Sequence, residues 1–242
     1  MDASGSVSPL EGQMSNMLCW SECRAAPTGP ARRSGACSGP DSMSTMSAAS
    51  VVLCFLLRPS GASGLEGDPA LWDVLLGLKR RGFGQGKVVA IGGHVEPGET
   101  PEEALQREVW EEVDVVVPQE ALHKLGRVRF VFPAQPRWDM NSMVYAADRW
   151  EGEVSGSEEI APEWHGLDAL PFGRMWPDAG HWLEEALSRA AQAVSGGSPQ
   201  AFDVTVTLAE DNHAVAGVEW TLGGPQGGPE SRVETDEDFH SA

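Results

Sequence analysis

Apolar and polar positions fall into blocks of different period along the chain. Val51 to Leu57 is an almost unbroken apolar run, the pattern of a strand buried on both faces. Trp72 to Lys79 reads as a second strand, and Val88 to Ile91 as a short one ending at Gly92-Gly93. Further strand patterns lie at 115–117, 124–132 and 142–147. Phe202 to Leu208 and Val215 to Leu222 flank Glu210-Asp211-Asn212 as a hairpin. Residues 59–70 are rich in Gly, Pro and Ser and read as a loop, and Arg80 to Lys87 as a basic, Gly-rich turn.

A helical period replaces the strand pattern twice. After Gly98-Glu99, Thr100 is a favoured N-cap, Pro101 suits the first helical position, and Glu103 completes a capping box. Leu105, Val109 and Val113 give that helix a buried stripe, and Glu103 with Arg107 forms an i,i+4 pair. Its end is expected near Asp114. Residues 178–194 predict a second helix, with Trp182, Leu183, Ala186, Leu187 and Ala190 on one face.

Composition trims the flanks. Residues 1–47 are Gly-, Ser-, Ala- and Pro-rich without sustained period and are expected to be disordered, with Met43 and Met46 as alternative starts. The stretch from Gly223 holds five acids against one arginine, so 224–242 is expected to be an acidic disordered tail. Residues 48–223 remain as one domain of mixed strands and helices. Acids outnumber Lys and Arg 36 to 17, for a formal charge of -19, which argues against a nucleic-acid polymer as partner. No stretch reaches the ~18 apolar residues of a membrane span. Cys19, Cys23, Cys37 and Cys54 are expected to be free thiols, and the location to be cytoplasmic. The oligomeric state is left open.

The chemistry centres on the first helix. Glu108, Glu111 and Glu112 are three and four residues apart and share one face. Like charges so placed repel, and a hard divalent cation would turn the repulsion into a binding site. The glycine pair upstream leaves room for an ion or a phosphate to approach the backbone. A cation there suits displacement at phosphorus, neutralising charge and acidifying a water.

Gly93 to Glu99 (GHVEPGE), seven further residues, then Arg107 to Glu112 (REVWEE) resembles the Nudix box, G-x5-E-x7-R-E-U-x-E-E-x-G-U with U a bulky aliphatic. One position departs: the late glycine is Asp114. The resemblance implies an α/β/α sandwich with a mixed sheet and hydrolysis of nucleoside diphosphate linkages. It implies Mg2+, or Mn2+, held by Glu108, Glu111, Glu112, the Gly92 carbonyl and Glu159, with the three helix glutamates catalytic. Glu99 and Arg107 would support the loop and helix. A longer likeness, through Leu76 to Lys87 and Pro171 to Asp178, is to the MutT-type oxidised purine nucleoside triphosphatases. It implies a nucleotide site including Lys79, Phe83, Ile91, Gly92, Gly93 and His94. Trp176 would stack on the base and Asp178 would read its edge. Two positions depart from that group: Val89 replaces an asparagine, and Ala179 replaces a second acid. Oxidised purine triphosphates, another nucleoside diphosphate-linked substrate, and a non-catalytic nucleotide-binding role therefore all stand as alternatives.

Overall fold

The computed structural model describes residues 48–61, 71–82, 84–222 and 230–234. Its strands are β1 (Ala49–Pro59), β2 (Trp72–Lys79), β3 (Val88–Val89), β4 (Ile91–His94), β5 (His123–Val131), β6 (Met140–Ala147), β7 (Ile160–Gly166), β8 (Phe202–Leu208), β9 (Val215–Leu222) and β10 (Glu230–Glu234). The helices are α1 (Pro101–Val113) and α2 (Leu183–Val194). Among the described residues the strands form one mixed sheet in the order β10-β9-β8-β5-β6-β1-β2-β3, with β4 also on β1 and β7 also on β2. The pairs β1–β6 and β5–β8 are parallel and the others antiparallel.

The apolar run of β1 is uninterrupted because both its faces are covered. Val52, Cys54 and Leu56 pack with Leu105, Val109 and Val113 of α1. Phe55 and Leu57 pack on the other side with Trp182 and with Leu183 and Leu187 of α2. The same alternation along β2 sends Leu75 to the α1 side and Val74 and Leu76 to the α2 side. The result is a sheet between two helical layers, each hiding a separate apolar cluster.

The strand expected over 88–91 is two short strands with different neighbours. β1 pairs with β2 only from Leu56 onward, whereas its residues 51–54 pair with β4. β3 stays with β2 through Leu78↔Val88 and Gly77↔Val89. The chain therefore crosses at Ala90, in the wedge where β1 and β2 diverge. That crossing carries residues 88–94 from the α2 side of the sheet to the carboxylates of α1.

Other expectations shift for local reasons. Residues 115–117 form no strand: Val116 makes an isolated bridge to Glu151 while Val115 and Val117 are buried. The expected helix over 178–194 begins as a 3₁₀ turn over Pro177–His181 and becomes α-helical only at Leu183. Trp182 has the extended φ of -142° at the break, where its Nε1 donates to Asp178 Oδ2 at 3.1 Å. β7 was not anticipated, because Pro162 and the polar Glu163 and His165 hide its pattern. Its fit to β2 explains Gly77, where a Cβ would lie 2.6 Å from Ile160 Cγ2. Glu230–Glu234, within the expected tail, pairs with β9. The expectations for residues 1–47, with Cys19, Cys23 and Cys37, lie outside the described residues, whereas Cys54 is a buried free thiol. No helix among the described residues is long and apolar enough to cross a membrane.

The expected ends of α1 are present. Thr100 Oγ1 accepts from the Glu103 amide at 3.2 Å, and Glu103 Oε2 accepts from the Thr100 amide at 2.8 Å. Asp114 closes the helix in the left-handed conformation, φ 59° and ψ 32°, its amide donating to the Trp110 carbonyl. Thr100→Ala is expected to cost about 1 kcal/mol. Asp114→Val is expected to cost about 1–2 kcal/mol, because a β-branched side chain resists that conformation, whereas Asp114→Gly retains full stability. Urea denaturation of the three variants checks both.

Candidate active site

The three helix glutamates have unequal surroundings. Glu112 is only 6% exposed, and its Oε2 accepts from the Gly92 amide at 2.9 Å. Burial pushes its carboxyl up to about 8, with the Gly92 amide and Lys79 opposing the shift. Glu108 is also raised by burial, although Arg107 Nη1 donates to its Oε1 at 2.6 Å. Glu111 is more open and lies 3.7 Å from the same guanidinium.

Close approach of α1 to β4 accounts for Gly93, and the pairing of β4 with β1 accounts for Gly92. A Cβ on Gly93 would sit 2.5 Å from Glu108 Cδ, and one on Gly92 would sit 2.0 Å from the Val52 carbonyl oxygen. Gly92 also has φ 144°, which L side chains rarely adopt.

Arg107 ties the preceding loop to the helix. Its Nε and Nη2 donate to the two oxygens of Glu99 at 2.8 and 2.9 Å, and Nη2 donates to the His94 carbonyl at 3.0 Å. Glu99 also accepts from the Glu96 amide at 3.0 Å, and the Arg107 guanidinium holds its carboxyl down to about 2. The pair expected between Glu103 and Arg107 gives way to this fork, and Glu103 stays on Thr100.

A cavity of about 520 Å³ opens over the acidic face, lined by Glu108, Glu111, Glu112 and Glu159 with Arg81 and the 155–158 loop. The β2–β7 register, Lys79↔Ile160, brings Glu159 here, where it lies 3.9 Å from Lys79 Nζ and accepts from Arg81 Nη2 at 3.2 Å. Four carboxylates on one cavity, two of them raised by burial, are hard oxygen donors, and a divalent cation suits such a donor set. Among the described residues, no three His, Cys, Asp or Glu side chains are gathered closely enough to hold a metal ion as they stand. Glu108 is drawn towards Arg107 and Glu112 towards the Gly92 amide.

A second cavity, about 490 Å³ and largely apolar, lies at the β3 end of the crossing segment. Val89, Trp176, Asp178 and Ala179 all line it. Trp176 packs over the turn before β3: a Cβ on Gly84 would be 3.4 Å from its ring, and Lys87 Nζ lies 5.4 Å from the ring centroid. Asp178 is raised by burial, against the pull of Trp182 Nε1. Phe130, Trp138 and Met140 add walls that sequence reasoning missed, and so does the β8–β9 hairpin from Glu210 to His213. No local signal marks them, because β5, β6 and β8 reach the pocket only through sheet order.

Of the expected nucleotide contacts, Ile91 lies inside the core. Its side chain is fully buried among Val52, Leu105 and Val109 and lines neither cavity. His94 is exposed, with its carbonyl on Arg107. Phe83 lies outside the described residues.

The NUDIX domain family model matches residues 49–186, more than half of the chain. The chain belongs to the Nudix family. This Nudix chain is 41% identical over 116 residues to the zebrafish (Danio rerio) oxidized purine nucleoside triphosphate hydrolase, covering 48% of the chain and 72% of that protein. The mouse (Mus musculus) protein of the same name is 40% identical over the same shares. The Escherichia coli 8-oxo-dGTP diphosphatase is 35% identical over 79 residues, 33% of the chain and 57% of that enzyme. A solved MutT protein from Bacillus halodurans shares the fold, with TM-score 0.53 and 21% identity over 71% of this chain and 97% of that one. The protein is thus a Nudix hydrolase, of a family that generally uses a divalent metal.

The folded-state carboxyl of Glu112 lies above its usual range, so the folded chain binds that proton more tightly than the unfolded one. Its stabilising contribution is full below about 4.5 and is lost as pH rises through about 8. In chelator, Glu112→Gln is expected to melt above the unsubstituted protein at pH 8. The two curves should converge towards pH 5, and thermal melts across that range check the sign.

Proposed function

We propose that this protein is a magnesium-dependent nucleoside triphosphate pyrophosphohydrolase that acts on oxidised purine nucleotides, such as 8-oxo-dGTP and 2-hydroxy-dATP, releasing monophosphate and pyrophosphate. One observation carries the reading. The crossing segment 88–94 has the apolar pocket of Trp176 and Asp178 at one end and the carboxylates of Glu108 and Glu112 at the other. A nucleotide laid along it has its base in the first and its phosphates near the second. The names of the zebrafish, mouse and bacterial relatives support the substrate class.

Glu108, Glu111 and Glu112, with the Gly92 carbonyl and Glu159, would hold the cation, Mn2+ serving as the alternative to Mg2+. The bound ion supplies charge neutralisation at the phosphates and a more acidic water. Lys79, paired with Glu159, sits where it can meet a phosphate oxygen. Gly92 and Gly93, lacking side chains, let the phosphates approach the helix, and His94 follows them at the rim. The Glu99–Arg107 fork fixes the loop before α1 without touching the reacting atoms. Trp176 offers a stacking face worth roughly 1–3 kcal/mol. Asp178, buried and raised, can meet the base edge as donor or acceptor. The working compartment in this reading is the cytoplasm.

Val89 and Ala179 favour a second reading within the family, a different nucleoside diphosphate-linked substrate, because neither offers a hydrogen bond to a base.

Pyrophosphate release is to be measured with and without magnesium on 8-oxo-dGTP, 2-hydroxy-dATP, dGTP, dATP, ADP-ribose and a diadenosine polyphosphate. Magnesium-dependent turnover with higher kcat/KM for the oxidised purines is expected. Equal kcat/KM for dGTP and 8-oxo-dGTP would defeat the substrate assignment and leave the hydrolase. Glu112→Gln is expected to lower kcat at least roughly a hundredfold on the best substrate.

A further inference from the structure

Among the described residues, two buried side-chain polar atoms have no hydrogen-bond partner: Trp138 Nε1 and Asn212 Oδ1. Both residues line the same apolar pocket, the one that also holds Trp176 and Asp178. They come from opposite parts of the chain, Trp138 from the turn between β5 and β6 and Asn212 from the β8–β9 hairpin. One atom is a donor and the other an acceptor. An unpartnered buried polar atom costs roughly 1–3 kcal/mol. Two residues that line a single cavity thus each hold an unmet polar atom just behind its wall, one a donor and one an acceptor.

Asn212 is held in place by its own hairpin. Its amide donates to the Ala209 carbonyl at 2.9 Å. Asp211 Oδ1 accepts from the amides of His213 and Ala214 at 2.8 and 3.1 Å. Asn212 itself takes the left-handed conformation, φ 56°, which asparagine tolerates better than most residues. The side chain is therefore presented by a fixed backbone rather than recruited from a loose loop.

The opposite wall explains why such a contact is needed. Val89 on β3 has no hydrogen-bonding side chain, and Ala179 beside Asp178 has none either. A flat heterocycle stacked by Trp176 would therefore find no side-chain anchor on β3.

We propose that Asn212 and Trp138 are specificity-determining contacts to the ring edge of a purine in this pocket, so that base reading has moved from β3 to the β8–β9 hairpin and the β5–β6 turn. This rests on the pocket being the base site of the preceding section. A purine edge offers both an acceptor for the indole N–H and a donor for the amide oxygen.

The test is calorimetric titration of the full chain with dGMP, 8-oxo-dGMP and dAMP, which needs no turnover. Asn212→Gly keeps the left-handed backbone while removing the amide, and Trp138→Phe keeps an aromatic wall while removing the N–H. Each is expected to weaken the preferred monophosphate about tenfold and to narrow the ratio between the purines, with Tm close to that of the unsubstituted chain. Unchanged affinities and ratios in both variants would overturn the proposal. So would equal losses for every purine accompanied by a lowered Tm, or no monophosphate binding by the unsubstituted protein. If the expected binding pattern holds while no triphosphate is hydrolysed, the hydrolase substrate assignment fails and the role of Asn212 and Trp138 stands.

Discussion

Helix α1 lies so close to β4 that a carboxylate and a main-chain amide join the two beside the apolar packing of Ile91. Glu112 reaches the Gly92 amide, and Glu108 occupies the space that a side chain on Gly93 would need. Everything chemical in the molecule follows from that contact. It requires glycine at position 93, and it takes two carboxylates out of water with one guanidinium and one amide as their nearest partners. Buried acids with so little positive charge nearby favour the protonated form or a cation. The helix therefore carries an unfavourable arrangement that uptake of a proton or a cation would relieve.

The rest of the fold makes that arrangement tolerable. α1 is anchored by Leu105, Val109 and Val113 in the apolar cluster beneath it, and its first turn is closed by the capping box. Arg107 adds a rigid strut to Glu99 and to the His94 carbonyl, so the loop before the helix cannot drift from the strand before it. The acidic groups are thus displayed on a frame whose own stability lies elsewhere, in two apolar clusters on opposite faces of the sheet.

The wedge between β1 and β2 joins the two halves of the site. Because β1 changes partner from β4 to β2 along its length, the segment that crosses there has one end on each face of the sheet. The Ile91 side chain plugs the wedge from the α1 side. The apolar pocket is closed from above by the hairpin between β8 and β9, strands that reach it because β8 runs parallel to β5. The pocket is assembled from segments more than a hundred residues apart, each contributing a few side chains.

What the amino-acid sequence determined by itself is what short-range physics controls. The capped helix from Thr100 to Asp114, the spacing of Glu108, Glu111 and Glu112, and the strands 72–79, 202–208 and 215–222 depend on periodicity, capping and turn residues that lie side by side in the chain. β7 escaped notice because its order comes from β2 rather than from its own residues, and 115–117 lost its strand because a single bridge is all its surroundings supply. Only the tertiary structure decided that Glu112 would be buried and Glu111 open, since one helical face looks alike until the sheet is laid against it. It alone brought Glu159 to the same cavity and set Trp138 and Asn212 facing one pocket. Burial and convergence are properties of distant pairings, which no local pattern encodes.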